Sequence, residues 1–349
     1  MLYVGTYSMH GSEGIYALRF DHETGALVRA GVIAGVENPS FLALHPDGGW
    51  LYSVSEGHQG AVAAIALNAE RSSGSVVSRQ STLGSAPCHL AVDPSGQWLV
   101  AANYGSGTVA LHPINSDGSL SPASNLAEHS GSGPRADRQE GPHAHSATFD
   151  PLGRFVIAAD LGIDRLMVYA LDRQNGKLVS CDRAATTVAP GSGPRHFVFH
   201  PSGEYAYLIN ELANTVVAYR CDADAGVLNP LQTLSTLPPD FIGESYCADI
   251  HAHPSGRFVY GSNRGHDSLA VFRIDPATGL MEAEGHISTG GRTPRNFAVT
   301  ADGRWLLAAN QDADNIVVFR LSDGGGRLEQ VGEIADIPAP VCLVFSREG

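Results

Sequence analysis

His196-Phe-Val-Phe-His-Pro-Ser-Gly-Glu-Tyr-Ala-Tyr-Leu-Ile-Asn210 holds two short apolar runs joined by a Pro-Ser-Gly turn. Such a pair reads as a β-hairpin, with glycine supplying the backbone freedom that the turn needs. A third run, Thr215-Val-Val-Ala-Tyr219, follows, and a further turn leads to a weaker fourth at Gly226-Val-Leu228. The same hairpin turn recurs as His45-Pro-Asp-Gly48, Asp93-Pro-Ser-Gly96, Asp150-Pro-Leu-Gly153, His253-Pro-Ser-Gly256 and Thr300-Ala-Asp-Gly303. With Gly203 included, its glycines stand 48, 57, 50, 53 and 47 residues apart. Four antiparallel strands repeated about every 50 residues make the blade of a β-propeller. No Gly-His or Trp-Asp dipeptide recurs in register, so the repeat is not of the WD40 type.

Six such turns are visible, whereas a chain of 349 residues has room for about seven repeats of this length. Val341-Cys-Leu-Val-Phe345 has the pattern of a blade's first strand, and Met1–Tyr7 and Gly14–Leu18 have that of its second and third. Pairing them predicts an all-β, seven-bladed propeller, one domain over residues 1–349, whose last blade is shared by both ends of the chain. Ring closure of this kind leaves neither end of the chain as an unpaired strand.

Composition narrows the function classes. Hydrophobic residues are 43% of the chain and charged residues only 17%, with 40 glycines and 20 prolines, which suits many short strands. A formal charge of −14 without a basic stripe argues against a nucleic-acid partner. Five scattered cysteines with no C-x-x-C spacing read as free thiols in a reducing compartment. Met1–Tyr7 reads directly as a strand, and no apolar run approaches the ~18 residues of a membrane span. The expectation is a cytoplasmic protein with no membrane contact, a monomer or weak homo-oligomer.

Antiparallel geometry then locates the chemistry. The start of a blade's first strand and the end of its second lie at one end of the hairpin, at one mouth of the central channel. Before the first strands stand Ser40, Cys88-His89, His145-Ser146, Arg195-His196, Ala248-Asp249 and Arg295-Asn296. After the second strands stand Glu56, Asn103-Tyr104, Asp160, Asn210-Glu211, Asn263-Arg264 and Asn310-Gln311. Convergent polar groups in a concavity mark a ligand site, and His145, Arg195, Glu211 and Arg264 form its expected centre. His143, His196, Asn210, Asp249, Arg295, Tyr104 and Gln311 are the expected surrounding ligands. His143 and His145 alternate on an extended segment and could form a metal pair, but no third ligand with suitable spacing stands out, and no metal is expected. Their preferred reading is acid/base or anion-binding chemistry. The turn histidines 45, 200 and 253 lie at the other end of the strands, where a structural role is expected. Two longer connections, Leu126–Gly141 and Leu237–Ala248, lead to the mouth as lids or as plain surface loops.

At Gly193-Pro-Arg-His-Phe-Val-Phe-His-Pro201, Asn210-Glu-Leu212, Ala248-Asp-Ile-His251, Pro142-His-Ala-His-Ser146 and Pro294-Arg295, the chain resembles the seven-bladed propeller lactonase family. That family includes the propeller type of 6-phosphogluconolactonase and the fungal carboxy-cis,cis-muconate cyclase. The resemblance implies catalytic roles for His145, Arg195, Glu211 and Arg264 and no bound metal or cofactor. It also implies a small anionic substrate, a phosphorylated or carboxylated lactone. Hydrolysis of 6-phosphogluconolactone is the leading expectation, with His145 or Glu211 as base and Arg195 with Arg264 as anion or oxyanion ligands. Arg295 and His196 are further candidates for holding a phosphate. A muconate cyclase and a non-catalytic binding propeller are the alternatives. No Gly-x-Ser-x-Gly elbow is present to offer a serine nucleophile.

Overall fold

Glycines 48, 96, 153, 203, 256 and 303 all adopt φ between 65 and 75°, a region that costs other residues strain. Each donates its N–H to the carbonyl three residues earlier at 2.8–2.9 Å, closing the hairpin turn. The turn histidines then reach across to the next blade. His45 Nε2 donates to Gly96 O at 3.0 Å, His200 Nε2 to Gly256 O at 2.8 Å, and His253 Nε2 to Gly303 O at 2.9 Å. Arg173 bridges another pair of blades, donating to Asp93 Oδ2 and Gly153 O at 2.8 Å each. The structural role expected of the turn histidines is thus a staple between neighbouring blades. Gly256 shows how tight it is, since an added Cβ would lie 2.6 Å from His200 Nε2.

The computed structural model describes residues 1–181 and 184–346, and its strands form seven separate antiparallel sheets. Blade 1 comprises Leu42–Leu44, Trp50–Ser55, Ala61–Leu67 and Gly74–Ser81. Blade 2 comprises Pro87–Val92, Trp98–Asn103, Thr108–Pro113 and Asn125–Glu128. Blade 3 runs through Ala144–Phe149, Phe155–Asp160, Arg165–Asp172 and Lys177–Ser180, with the short strand Thr186–Thr187 also pairing with its third strand. Blade 4 is Pro194–Phe199, Tyr205–Asn210, Thr215–Asp222 and Val227–Ser235. Blade 5 is Tyr246–Ala252, Phe258–Arg264, Ser268–Ile274 and Met281–Ser288, and blade 6 is Pro294–Val299, Trp305–Asn310, Asn315–Ser322 and Arg327–Ile334. Blade 7 is the shared one. Pro340–Phe345 pairs antiparallel with Leu2–Thr6, with Leu2 opposite Phe345 and Val4 opposite Leu343, and Ile15–Phe20 and Leu27–Ile33 complete it.

The first strands of neighbouring blades contact one another all round the axis, including 340–345 beside 42–44. Alternating side chains of the middle strands fill the space between blades. Trp98, Val100 and Ala102 of blade 2, for example, mesh with Phe149, Val156 and Ala158 of blade 3. Burial of each large apolar side chain stabilises such a packing by about 1.5–3 kcal/mol. No helix among the described residues is long and apolar enough to cross a membrane.

The two long connections differ from the expected boundaries. Leu126 belongs to the outer strand of blade 2, so the first connection starts at His129; Tyr246 already opens blade 5, which shortens the second. The first is pinned rather than loose. Buried Gln139 donates to Leu161 O and Asp164 Oδ1 at 2.8 Å each, and His129 Nδ1 donates to Asp160 Oδ2 at 2.5 Å.

Candidate active site

Counting from the turn glycines, Ser40, Cys88, His145, Arg195, Ala248 and Arg295 each lie eight residues before one, and Glu56, Tyr104, Leu161, Glu211, Arg264 and Gln311 eight residues after one. The structure gives this register a physical cause. In blades 2, 3, 4 and 6 the first strand opens with a bulge whose extra residue is Cys88, His145, Arg195 or Arg295. In blade 5 the bulge spans Ala248 and Asp249. A bulge bends its strand and re-aims a side chain that regular pleating would turn away. The residue at the end of the second strand has a different task. Asn103 Nδ2 donates to Thr82 O and Thr108 Oγ1, Asn263 Nδ2 to Thr236 O and Ser268 Oγ, and Asn310 Nδ2 to Thr289 O and Asn315 Oδ1. These asparagines clasp the second strand to the third. The next residue is the one that faces the mouth.

Glu211 is the centre. Its Oε2 accepts from Arg195 Nε at 3.0 Å and is paired with Arg264 Nη2 at 2.9 Å, and its Oε1 accepts from Arg138 Nη2 at 2.7 Å. Arg264 is itself held by the carbonyls of Cys247 and Tyr246. Burial alone would raise the Glu211 pKa, but the guanidiniums of Arg264, Arg195 and Arg138 reverse that and hold it at about 2. His145 Nε2 stands 3.8 Å from Glu211 Oε2. Burial and then the charge of Arg195 depress its pKa well below the ordinary imidazole value, so it is neutral at pH 7. Burial, with repulsion from Arg264 and Arg295, lowers Arg195 to about 10, still a cation. All three are nearly sealed from solvent: His145 is 5%, Arg195 2% and Glu211 4% exposed.

A second layer orients this centre. Arg195 Nη1 donates to His196 Nε2 at 3.2 Å and to the Ala248 carbonyl. His196 Nδ1 donates to Asp249 Oδ1 at 2.7 Å, and Asp249 also accepts from His251 at 2.9 Å and from Asn296. Burial, then Arg195, lowers His196 to about 4 despite Asp249. Asp249, expected to meet substrate, therefore spends its carboxylate on five protein donors, these three side chains and the backbone N–H groups of Ile250 and Phe297. Arg295 differs from its counterparts. Its guanidinium lies 5.4 Å over the Tyr7 ring and, among the described residues, makes no hydrogen bond or ion pair. It shares a small cavity with Arg195, His196, Cys88, Ser40 and Glu56.

The remaining expected ligands divide among a strand clasp, a short turn and the flank of the cluster. Asn210 Nδ2 donates to Thr215 Oγ1 at 3.0 Å, so it is one of the strand clasps. Gln311 opens a short turn and donates to Asp312, and among the described residues its side chain makes no hydrogen bond to the cluster. Tyr104 and His143 are stacked at 4.5 Å, and His145 meets the edge of the same tyrosine at 5.4 Å. The two ring nitrogens of His143 face Tyr104 O and Glu140, and among the described residues no group of three potential ligands could hold a metal. Arg138 was missed as a site residue. It comes from the connection between blades 2 and 3, outside the repeat register, and only its place in a loop leading to the mouth hinted at it.

Comparisons with known proteins bear on the family and the fold. Residues 1–345 match the family described as "Lactonase, 7-bladed beta-propeller". The chain is 41% identical over 296 residues to the 6-phosphogluconolactonase of Bacillus subtilis, covering 84% of this chain and 83% of that one. It is 32% identical over 306 residues to the 6-phosphogluconolactonase of Formosa agariphila, covering 85% and 86%. The solved periplasmic gluconolactonase PpgL of Pseudomonas aeruginosa superposes with a TM-score of 0.92 at 32% identity, covering 99% of this chain and 98% of that one.

Proposed function

From the premise that this chain belongs to the seven-bladed β-propeller lactonase family, we propose that it hydrolyses 6-phosphogluconolactone to 6-phosphogluconate. The observation that carries the reading is a neutral, buried imidazole beside guanidinium groups at the channel mouth. Glu211 is a poor base, because three guanidiniums occupy its carboxylate and hold its pKa at about 2. His145 is the better one. Its Nε2 takes a proton from water as the water oxygen attacks the lactone carbonyl carbon. The carbonyl oxygen becomes an oxyanion, stabilised by Arg195 and Arg295, which share a cavity. Glu211, 3.8 Å from His145, balances the imidazolium that forms. The carbon–ring-oxygen bond then breaks, the ring oxygen takes the proton from His145, and the open acid leaves. Arg264, tied to two carbonyls, acts as a positioning residue for Glu211.

The name of the Bacillus subtilis relative supports the phosphorylated lactone as substrate. The five unpaired cysteines support a cytoplasmic setting. A ring closed within one chain, by the pairing of Pro340–Phe345 with Leu2–Thr6, supports a monomer or weak homo-oligomer.

The test is a rate measured on freshly made 6-phosphogluconolactone, with spontaneous opening subtracted. Wild-type protein should exceed the spontaneous rate, and Arg195→Ala should lower turnover about a hundredfold, the usual effect of removing one oxyanion donor. Wild-type protein no faster than the blank would remove the lactonase assignment.

A further inference from the structure

The buried centre poses an access problem. His145, Arg195 and Glu211 are each at most 5% exposed, yet the reaction needs a sugar-sized molecule beside them. What lies over Glu211 is Arg138, whose side chain is 30% exposed and which alone in the cluster comes from a connection rather than a blade. Its Nη2 holds Glu211 Oε1, whereas Arg195 and Arg264 both hold Oε2. Two tyrosines flank it: the Tyr104 hydroxyl accepts from Nη2 at 3.4 Å, and the Tyr246 ring lies 5.9 Å from the guanidinium carbon. The backbone beneath it is fixed, through Gln139 on one side and the His129–Asp160 pair on the other. A long arginine side chain on a fixed loop can swing without the loop moving.

Charge favours such a swing. Arg138, Arg195 and Arg264 surround one carboxylate, and His145 is neutral, so this group carries a surplus of positive charge. Glu211 keeps two guanidiniums when Arg138 leaves it, so the buried anion is not stranded. A phosphate monoester carries roughly −1.5 to −2 at neutral pH and offers three acceptor oxygens, which a planar guanidinium binds through two N–H groups at once. We propose that Arg138 is the specificity-determining gate of this site. The phosphate of an incoming substrate draws it off Glu211 Oε1, and the same movement opens the mouth to the lactone ring. An unphosphorylated lactone has nothing to exchange for the ion pair and meets a closed mouth.

The proposal rests on the lactonase reading, and its test separates the two. Wild-type protein, Arg138→Ala and Arg138→Lys would be compared on 6-phosphogluconolactone and on unphosphorylated gluconolactone. Binding of 6-phosphogluconate and of gluconate would be measured alongside by calorimetry. The wild type should prefer the phosphorylated compounds strongly. In Arg138→Ala that preference, read as the ratio of kcat/KM values, should shrink at least tenfold, mostly through KM, with Arg138→Lys between the two. A residue that merely positions Glu211 would lower both substrates together and leave the ratio intact, and that result would overturn the gate while sparing the lactonase. Wild-type protein that neither turns over nor binds the phosphorylated compounds would overturn both.

Discussion

Two substitutions separate the roles of the paired groups at the mouth. His145→Ala removes the base, and turnover should fall by about 10²–10⁴-fold with little change in melting temperature. Glu211→Gln keeps the base but leaves buried Arg195, with the partly buried Arg264 and Arg138, around a neutral amide, a loss of about 3 kcal/mol that a thermal melt will register. If both variants lost rate and neither lost stability, the division of labour would be wrong. The pH profile adds a sign. A base works unprotonated, and His145 has its pKa depressed first by burial and then by Arg195. Activity should stay level through the ordinary imidazole range near pH ~6.5 and decline only as pH falls below it. The pH profile of kcat on saturating 6-phosphogluconolactone, with spontaneous opening subtracted at each pH, checks this; an acid limb at or above the ordinary value would contradict it. Much of this placement was legible in sequence, because hairpin counting brings His145, Arg195, Glu211 and Arg264 to one mouth. The count could not distinguish Asn210 from Glu211, adjacent letters of which one clasps a strand and the other meets three cations. It had no means of finding Arg138, whose position depends on how a connection folds back.

Hairpins and bulges divide the work within each blade. Gly256 at φ 71° sits against His200, so Gly256→Ala combines a strained backbone with loss of the staple to the neighbouring blade. Destabilisation of about 2–4 kcal/mol is expected from these two effects together, against a much smaller loss for Gly203→Ala. Gly203 shares the positive φ but has open space around its would-be Cβ, so its cost is the backbone strain alone. Equal melting temperatures for the two variants would show that the staple carries no weight. Turns of this kind announce themselves through Pro-x-Gly. Bulges leave a weaker mark: a proline precedes Cys88, Arg195 and Arg295 but not His145, and the extra residue itself shows only in the pairing register. The pleat expected of His143 and His145 was changed in the same way, by the bulge between Ala144 and Ser146.

Closure of the ring depends on strand Pro340–Phe345, whose partner strand Leu2–Thr6 lies at the opposite end of the sequence. Removing residues from Val341 onward should bare the edge of Leu2–Thr6 and yield aggregated protein by light scattering. A soluble truncation with an unchanged melting temperature would contradict the role of that pairing. The architecture also bears on how such a molecule can change over generations. Fold-keeping side chains fall on the letter before the one that faces the channel, and the two letters answer to different demands. Tyr104, Leu161, Glu211, Arg264 and Gln311 already show five different side chains at one repeated address. A lineage can therefore alter the channel lining one blade at a time, keep every hairpin in register, and move between lactones of different charge without passing through an unfolded ancestor.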